Sequence, residues 1–312
     1  MTKRVLITGA AGYVGSLLGG RLAADFHVVG TDIRSRGDLP FRVVEMDVRS
    51  PALADLLKAE RISHVVHLAS VLDAGNDRAR EFDIDVNGTR NVVECCLAAG
   101  VRHLTVTSSG AAYGYHPDNP AWIDETQPLR GNVEFAYSDH KRQIEEMLAD
   151  YRRRQPQLGQ LILRPGTILG ATTRNLITNL FKAKRMLAVR GSDSPFVFIW
   201  DEDVVRAIEH GIRQDRTGIF NMAGDGALTV HQIAAILGKP VMALPAWLIK
   251  SALWCGRRLG VGRYGPEQVN FLRYRPVLSN RRLKEEFGYQ PQKTSEETFR
   301  FYVEHARARG EL

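Results

Sequence analysis

A doubly wound α/β fold on a parallel sheet is predicted by three features: an apolar strand running into a glycine-spaced turn and helix, five strand–helix alternations along the first half, and short links between them. Such alternation implies right-handed crossovers with helices on both faces of the sheet. Residues 1–170 are expected to form this domain and 171–312 a smaller α+β domain, with about 197–225 returning in part to the main sheet.

The first strand is Val5-Leu6-Ile7, a continuous apolar run of the kind buried on both faces. It leads into Gly9, Gly12 and Gly15 and then Leu17, Leu18, Arg21 and Leu22 at helical spacing. Glycines there let the backbone turn tightly and approach a pyrophosphate, which the free N–H groups of the helix would hold. An ordinary strand-to-helix turn is the alternative reading of the triplet.

The second strand, His27 to Asp32, ends in a carboxylate that follows Gly9 at close to the spacing of about 20 residues where an acid accepts the ribose hydroxyls of a dinucleotide. This favours NAD, because a 2′-phosphate would be repelled. Arg34 and Arg36 are what a 2′-phosphate would want, and Arg36 is read as a surface residue. Val43 to Val48 is the third strand, whose Asp47 and Val48 either border the adenine or begin the turn into a helix led by Pro51. Val65 to Ser70 is the fourth strand, with His67 as a core histidine. A helix over 82–98 and the strand Leu104 to Ser108 follow. Ligands of such sheets bind at the carboxyl ends of the strands, where Gly9, Asp32, Ala69 and Ser109 gather.

Composition narrows the class. Of the 312 residues, 44% are hydrophobic and 25% charged, the balance of a globular protein. No apolar run has the length of a membrane span and no leader is evident, so a cytoplasmic location is expected. Cys95, Cys96 and Cys255 have neither disulfide nor metal spacing, and no metal is expected. The net charge of +7 comes from scattered small groups such as Arg152 to Arg154, Arg257 with Arg258, and Arg273 with Arg275. That pattern suits a solvated surface or an anionic small substrate, not nucleic acid.

Tyr137 and Lys141 lie four apart on a helical pattern continued by Ile144 and Leu148, so they share its inward face. An adjacent ammonium favours a phenolate, and a phenolate can exchange a proton with a substrate hydroxyl or carbonyl. Ser109, at the mouth of the fifth strand, would hydrogen-bond the same oxygen. A surface helix pair is the alternative for Tyr-x-x-x-Lys by itself.

With Thr8-Gly9-Ala10-Ala11-Gly12-Tyr13-Val14-Gly15, Asp32, Asp47-Val48, His67-Leu68-Ala69-Ser70, Asp85-Val86-Asn87-Gly88-Thr89, Thr107 to Gly114, Tyr137 to Lys141 and Leu163 to Thr167, the chain resembles an extended short-chain dehydrogenase/reductase of the NAD-dependent epimerase/dehydratase family. The resemblance covers about the first 170 residues. It implies a Rossmann domain binding NAD through Gly9, Gly12, Tyr13, Val14, Gly15, Asp32, Ile33, Arg34, Asp47, Val48, Leu68, Ala69, Ser70, Thr107, Tyr137, Lys141 and the Pro165 backbone. It also implies Ser109, with Ser108 as the neighbouring alternative, Tyr137 and Lys141 as catalytic residues, and a homodimer formed by the helices at 82–98 and 137–151.

Two features depart from the nucleotide-sugar members, which often carry Asn after Arg-Pro-x and a Gln-x-Arg stretch. Here those places hold Thr167 and the segment Ser192 to Trp200. Asn175 is either a nucleotide contact or a helix cap. Thr229-x-x-Gln232 and Thr294-x-x-Glu297 are capping boxes, Asp201 to Gly211 a helix and Ile219 to Met222 a strand. The stretch 246–259, with Trp247, Leu248, Ile249, Leu253 and Trp254 before Arg257 and Arg258, is greasy enough for core packing, an apolar substrate wall or a membrane-surface contact. The expected function is hydride-linked epimerisation or dehydration of a nucleotide sugar. The alternatives are a dehydrogenase or ketoreductase of a less polar compound, and a dinucleotide-sensing regulator without chemistry.

Overall fold

In a computed structural model, which describes residues 3–34, 36–71, 77–259 and 265–312, the chain first lays down β1 (Arg4–Thr8), α1 (Tyr13–Leu22), β2 (His27–Asp32), β3 (Arg42–Glu45), α2 (Leu53–Ala59) and β4 (His64–His67). Then come α3 (Arg78–Phe82), a π turn at Asp83–Asn87, α4 (Gly88–Ala99), β5 (His103–Thr107), α5 (Ala136–Arg154) and β6 (Gly159–Pro165). With β10 (Gly218–Met222), described below, these strands form one sheet in the order β10-β6-β5-β4-β1-β2-β3. Every pairing in it is parallel. Strand order reverses at β1, where Ile7 pairs with Gly30 on one side and Val66 on the other, so the crevice for a ligand opens at the carboxyl end of β1.

Side chains alternate along each strand and feed two cores. Val5, Ile7 and Leu163 pack on Leu18 and Leu22 of α1 and on Val204 and Ile208. Leu6, Val65, Leu104 and Ile162 face the other way, onto Leu53, Val92, Val93, Ile144 and Leu148 of α2, α4 and α5. Fully buried branched residues on both faces explain the near-continuous apolar strands of the sequence.

After β6 the chain forms β7 (Thr167–Leu169), α6 (Leu176–Phe181), β8 (Met186–Val189) and β9 (Phe198–Trp200), then α7 (Asp201–Arg213) and β10. It ends with α8 (Val230–Leu237), β11 (Val241–Leu244), α9 (Ala246–Arg258), α10 (Gln268–Arg273) and α11 (Ser295–Ala308). The smaller region carries two two-stranded parallel ribbons, β7 with β9 and β8 with β11, around Phe181, Phe196, Phe198, Phe299 and Tyr302. β10 pairs with β6 from Gly218 to Met222 and so adds an edge strand to the main sheet, whereas β9 pairs with β7 outside it.

Several expected boundaries shift. The third strand stops at Glu45, because the Asp47 carboxylate accepts the Arg49 N–H and turns the chain. Helix α2 begins at Leu53, after a turn through Pro51 and Ala52. The fourth strand ends at His67, so Leu68, Ala69 and Ser70 form the loop beyond it. The continuous helix read over 82–98 is instead broken by the π turn, within which the buried Asp85 accepts hydrogen bonds from Ser70 Oγ (3.1 Å) and Val71 N–H (2.8 Å). The boxes at Thr229 and Thr294 form as read, and Asn175 caps α6 with a third.

Candidate active site

The glycine turn has the geometry of a cradle. Gly9 has a φ of +69°, and a Cβ on it would lie 2.8 Å from the Ala69 nitrogen. A Cβ on Gly15 would lie 2.2 Å from the Gly9 carbonyl oxygen. Only glycine lets the backbone of β1, the β4 loop and α1 come this close. Tyr13, Val14 and Gly15 form the first turn of α1, whose N–H groups lack intrahelical acceptors. Asp32 stands over the turn, its carboxylate accepting the N–H groups of Ala11 (3.0 Å) and Arg34 (3.2 Å). Ile33 and Arg34 are exposed beside it, and Arg36 pairs on the surface with Asp38 at 2.5 Å. These residues fit a dinucleotide: space that a side chain would fill, unpaired N–H donors for phosphates and a carboxylate for the ribose.

Not all the expected cofactor residues present their side chains there. Val48 packs in the core, and the Asp47 carboxyl is held below the usual range by the Arg49 guanidinium, 2.6 Å away. Leu68 N–H bonds the Thr8 carbonyl at 3.2 Å, and Pro165 closes β6 opposite Met222. His67 is buried between Thr8 and Thr89, bonded at 2.7 and 3.0 Å, in agreement with a core histidine.

The residues expected to react lie at the carboxyl end of β5 and in the first turns of α5. Ser109 is extended, and its Oγ accepts the Ala111 N–H (3.1 Å), capping a 3-10 turn at Gly110–Tyr113. The neighbouring Ser108 continues the pairing to Leu163 through its N–H and buries its hydroxyl. Ser138 Oγ donates to the Ala111 carbonyl at 2.6 Å and ties the first turn of α5 to the same short turn. One residue earlier, Tyr137 is half-buried. The Lys141 ammonium lies 5.6 Å from the Tyr137 ring centroid and donates to the Thr107 carbonyl at 3.2 Å. Ser109, Tyr137 and Lys141 are thus carried by two elements joined through Ala111.

A buried network backs this arrangement. Arg164 pairs with Glu145 at 2.6 Å and donates to Tyr113 Oη, also at 2.6 Å, while Tyr113 donates to Asn221 Oδ1 at 2.9 Å. It links β6, α5, the short turn and β10. Burial alone would raise the Asp85 carboxyl, but the His140 hydrogen bond, the Lys141 charge and the Val71 N–H outweigh it and hold the group below the ordinary range.

Sequence reasoning missed the wall facing Tyr137. The Tyr137 ring neighbours Phe135 (6.3 Å between centroids), Phe135 neighbours Tyr115 (5.7 Å), and Tyr115 meets Phe271 of α10 (5.0 Å). A small cavity lies between Tyr115, Phe135 and Phe271, lined also by Asn132, Glu134 and Asn270. Arg275 sits against the same aromatics, its guanidinium 5.2 Å from the Phe271 centroid and 3.7 Å from that of Phe196. It donates to Ser194 and to the Leu272 carbonyl, and its Nε is sealed from solvent with no partner among the described residues. Among the described residues its partners are these groups and no carboxylate. Confinement lowers the guanidinium below the usual arginine range. Its signal in the sequence was only one of several arginine pairs.

The fold and the paired Tyr and Lys define a doubly wound, dinucleotide-binding class. Solved structures of that class superpose on the whole chain: the Bordetella bronchiseptica enzyme WbmG, crystallised with NAD and UDP, with a TM-score of 0.77 at 19% identity over 100% of this chain and 96% of that one, and the UDP-glucose 4-epimerase of Thermotoga maritima, with 0.76 at 21% over 98% and 99%. The chain belongs to the NAD dependent epimerase/dehydratase family, which it matches over residues 5–223, and NAD is accordingly its cofactor. An uncharacterised protein of Mycobacterium tuberculosis is 26% identical over 99% of this chain and 84% of its own length. The N-acetyl-alpha-D-glucosaminyl-diphospho-ditrans,octacis-undecaprenol 4-epimerase of Escherichia coli O157:H7 is 28% identical over 75% of this chain and 71% of its own.

Proposed function

We propose that the protein is an NAD-dependent epimerase of a sugar carried on a diphosphate, a nucleotide sugar by preference. The observation that carries this reading is Arg275: a confined guanidinium with no carboxylate partner among the described residues, set in an aromatic wall continuous with Tyr137. An unpaired charge held in such surroundings is costly, and a guanidinium matches the paired oxygens of a diphosphate. Relatives named for nucleotide-linked and lipid-linked diphospho sugars support the same chemistry.

Bound NAD supplies a reversible hydride acceptor, so a carbinol can be oxidised and then reduced from its other face without net consumption. Tyr137 takes the proton of the sugar hydroxyl and returns it. The Ser109 hydroxyl hydrogen-bonds the same oxygen and orients it. Lys141, beside the Tyr137 ring, would hold the nicotinamide ribose, and Asp32 the adenosine ribose. A homodimer through α4 and α5 belongs to this reading, since Tyr151 of α5 donates to Glu94 of α4 at 2.9 Å and sets the two helices side by side.

Thermal shift with NAD present tests the substrate class. UDP-sugars should stabilise the wild type and fail to stabilise Arg275→Met, and NMR should show the C4 epimer forming. Stabilisation by hydroxyketones or sterols instead would favour the dehydrogenase reading, which Thr167 supports. NAD binding without turnover of any of these would favour the regulator. Light scattering tests the dimer, which a monomer at micromolar concentration would refute.

A further inference from the structure

We propose that α9 is a membrane-docking helix, which lies on an anionic phospholipid bilayer with Trp247 and Trp254 in the headgroup boundary and Lys250, Arg257 and Arg258 against lipid phosphates. This inference stands apart from the identity of the sugar. Of the helix's residues only Ile249 is buried, with Leu253 packed beside it against Val189, Val269 and Leu272. Among the described residues the rest of the apolar surface is left open: Trp247 is 67% exposed, Trp254 57% and Leu259, just past the helix, 76%, with Leu248 also exposed. Monomeric proteins rarely leave contiguous apolar surface of this kind open, and large patches mark interaction sites.

The arrangement points to lipid. Trp247 and Trp254 are seven apart, two helical turns, and so form one ridge. Lys250 and Arg257 repeat the same spacing on the adjoining face, and Arg258 stands beside the tryptophans, its guanidinium 6.0 Å from the Trp254 ring. The helix has no acidic residue, and the nearest recorded countercharge is Glu267, 3.5 Å from Arg257. Indole rings settle at the membrane–water interface, and basic residues next to them reach anionic phosphates. A second copy of the chain suits this face poorly, because a two-fold contact through α9 would bring together two helices that each carry three cations and no acidic residue. Docking here would have a neighbour in the site: α9 packs on α10, whose Phe271 meets Tyr115 in the aromatic wall that runs through Phe135 to Tyr137.

Vesicle co-sedimentation of the full-length protein with NAD tests the proposal. Wild type should bind phosphatidylcholine vesicles containing phosphatidylglycerol and bind vesicles of phosphatidylcholine alone much more weakly, with added salt releasing it. Replacing both tryptophans in Trp247→Ser/Trp254→Ser should weaken binding roughly tenfold or more. Each of Lys250→Gln, Arg257→Gln and Arg258→Gln should cost roughly fivefold. Retained thermal stabilisation by NAD certifies that a variant is folded. As a measure that needs no disruptive change, brominated phosphatidylcholine in anionic vesicles should quench wild-type tryptophan fluorescence and quench Trp247→Phe/Trp254→Phe far less. Absence of binding by the wild type, equal quenching in the two proteins, or binding indifferent to all these changes would overturn the proposal. So would loss of self-association in the tryptophan variant without any change in vesicle binding, which would assign the face to a second copy.

Discussion

Tyr13 and Asp201 are joined by a 2.5 Å hydrogen bond from the phenol to Oδ2, although 188 residues separate them. The bond fastens the start of α1, inside the glycine turn, to the start of α7. Burial and the Asp201 carboxylate push the Tyr13 phenol up to about 12, and burial raises the Asp201 carboxyl as well. Gly170 completes the contact, since a Cβ there would lie 1.8 Å from Asp201 Oδ2.

Tyr13→Phe should therefore lower stability by about 2 kcal/mol, the cost of leaving a buried carboxylate without its donor. Asp201→Asn in the same background should recover part of the loss, because a neutral amide is cheaper to leave unpaired. Urea unfolding at neutral pH checks both; an unchanged midpoint in Tyr13→Phe would show that the bond adds nothing net.

Tyr137→Phe should reduce kcat by roughly 10²- to 10⁴-fold with NAD affinity nearly unchanged, because it removes the proton-exchanging oxygen and keeps the ring. Lys141→Ala should reduce kcat and weaken NAD binding as well, because its ammonium would hold the nicotinamide ribose beside the Tyr137 ring. Ser109→Ala should fall between them. Steady-state kinetics and NAD titration separate the three. Near-native activity in Tyr137→Phe would pass the base role to a carboxylate such as Glu134, which lines the cavity, or Asp73, which lies outside the described residues.

Ser138 touches none of the reacting groups but bonds the carbonyl of Ala111, whose N–H bonds Ser109. Its replacement by alanine should lower kcat roughly tenfold while leaving KM close to wild type, as expected when the angle between acid/base and oxygen loosens. Ser138→Thr, which keeps the hydroxyl, should restore the rate. A parallel rise in KM would show a general loosening of the site instead.

Burial lowers His64 to about 4 and His67 to about 3. Both stay neutral in the folded protein while the unfolded chain takes up protons below about 6.5, so stability is full above that value and declines as pH falls toward 4. Two such groups cost roughly 3–4 kcal/mol between pH 7 and pH 5. Urea unfolding at those two pH values measures the drop, and His67→Gln should reduce it by about half. A stability independent of pH over this interval would contradict the neutral assignment.

What was legible in the sequence was local. Gly9, Gly12 and Gly15 declare their turn within a few residues, and Tyr137 and Lys141 declare a shared face by being one turn apart. The relations that complete the site are between distant segments: Arg275 meets Phe196 and Phe271, and Tyr13 meets Asp201, through the path of the chain and not through any period. The π turn at Asp83–Asn87 was hidden for a different reason, since Phe82, Val86 and Val93 keep an apolar pattern that one inserted residue barely disturbs. For α9 composition showed the grease but not its exposure, which depends on what packs over the helix.

The late arrival of β10 has a consequence for biosynthesis. On the ribosome β6 is complete well before Gly218–Met222 emerge, so its outer edge stays an open template for pairing with other chains. Over the same interval the sheet face lined by Val5, Ile7 and Leu163 lacks Val204, Ile208 and Ile212 of α7. A nascent chain in this state exposes both an unpaired edge and apolar surface, the two hazards that chaperones shield, and it cannot close its first domain until part of the second half has been made.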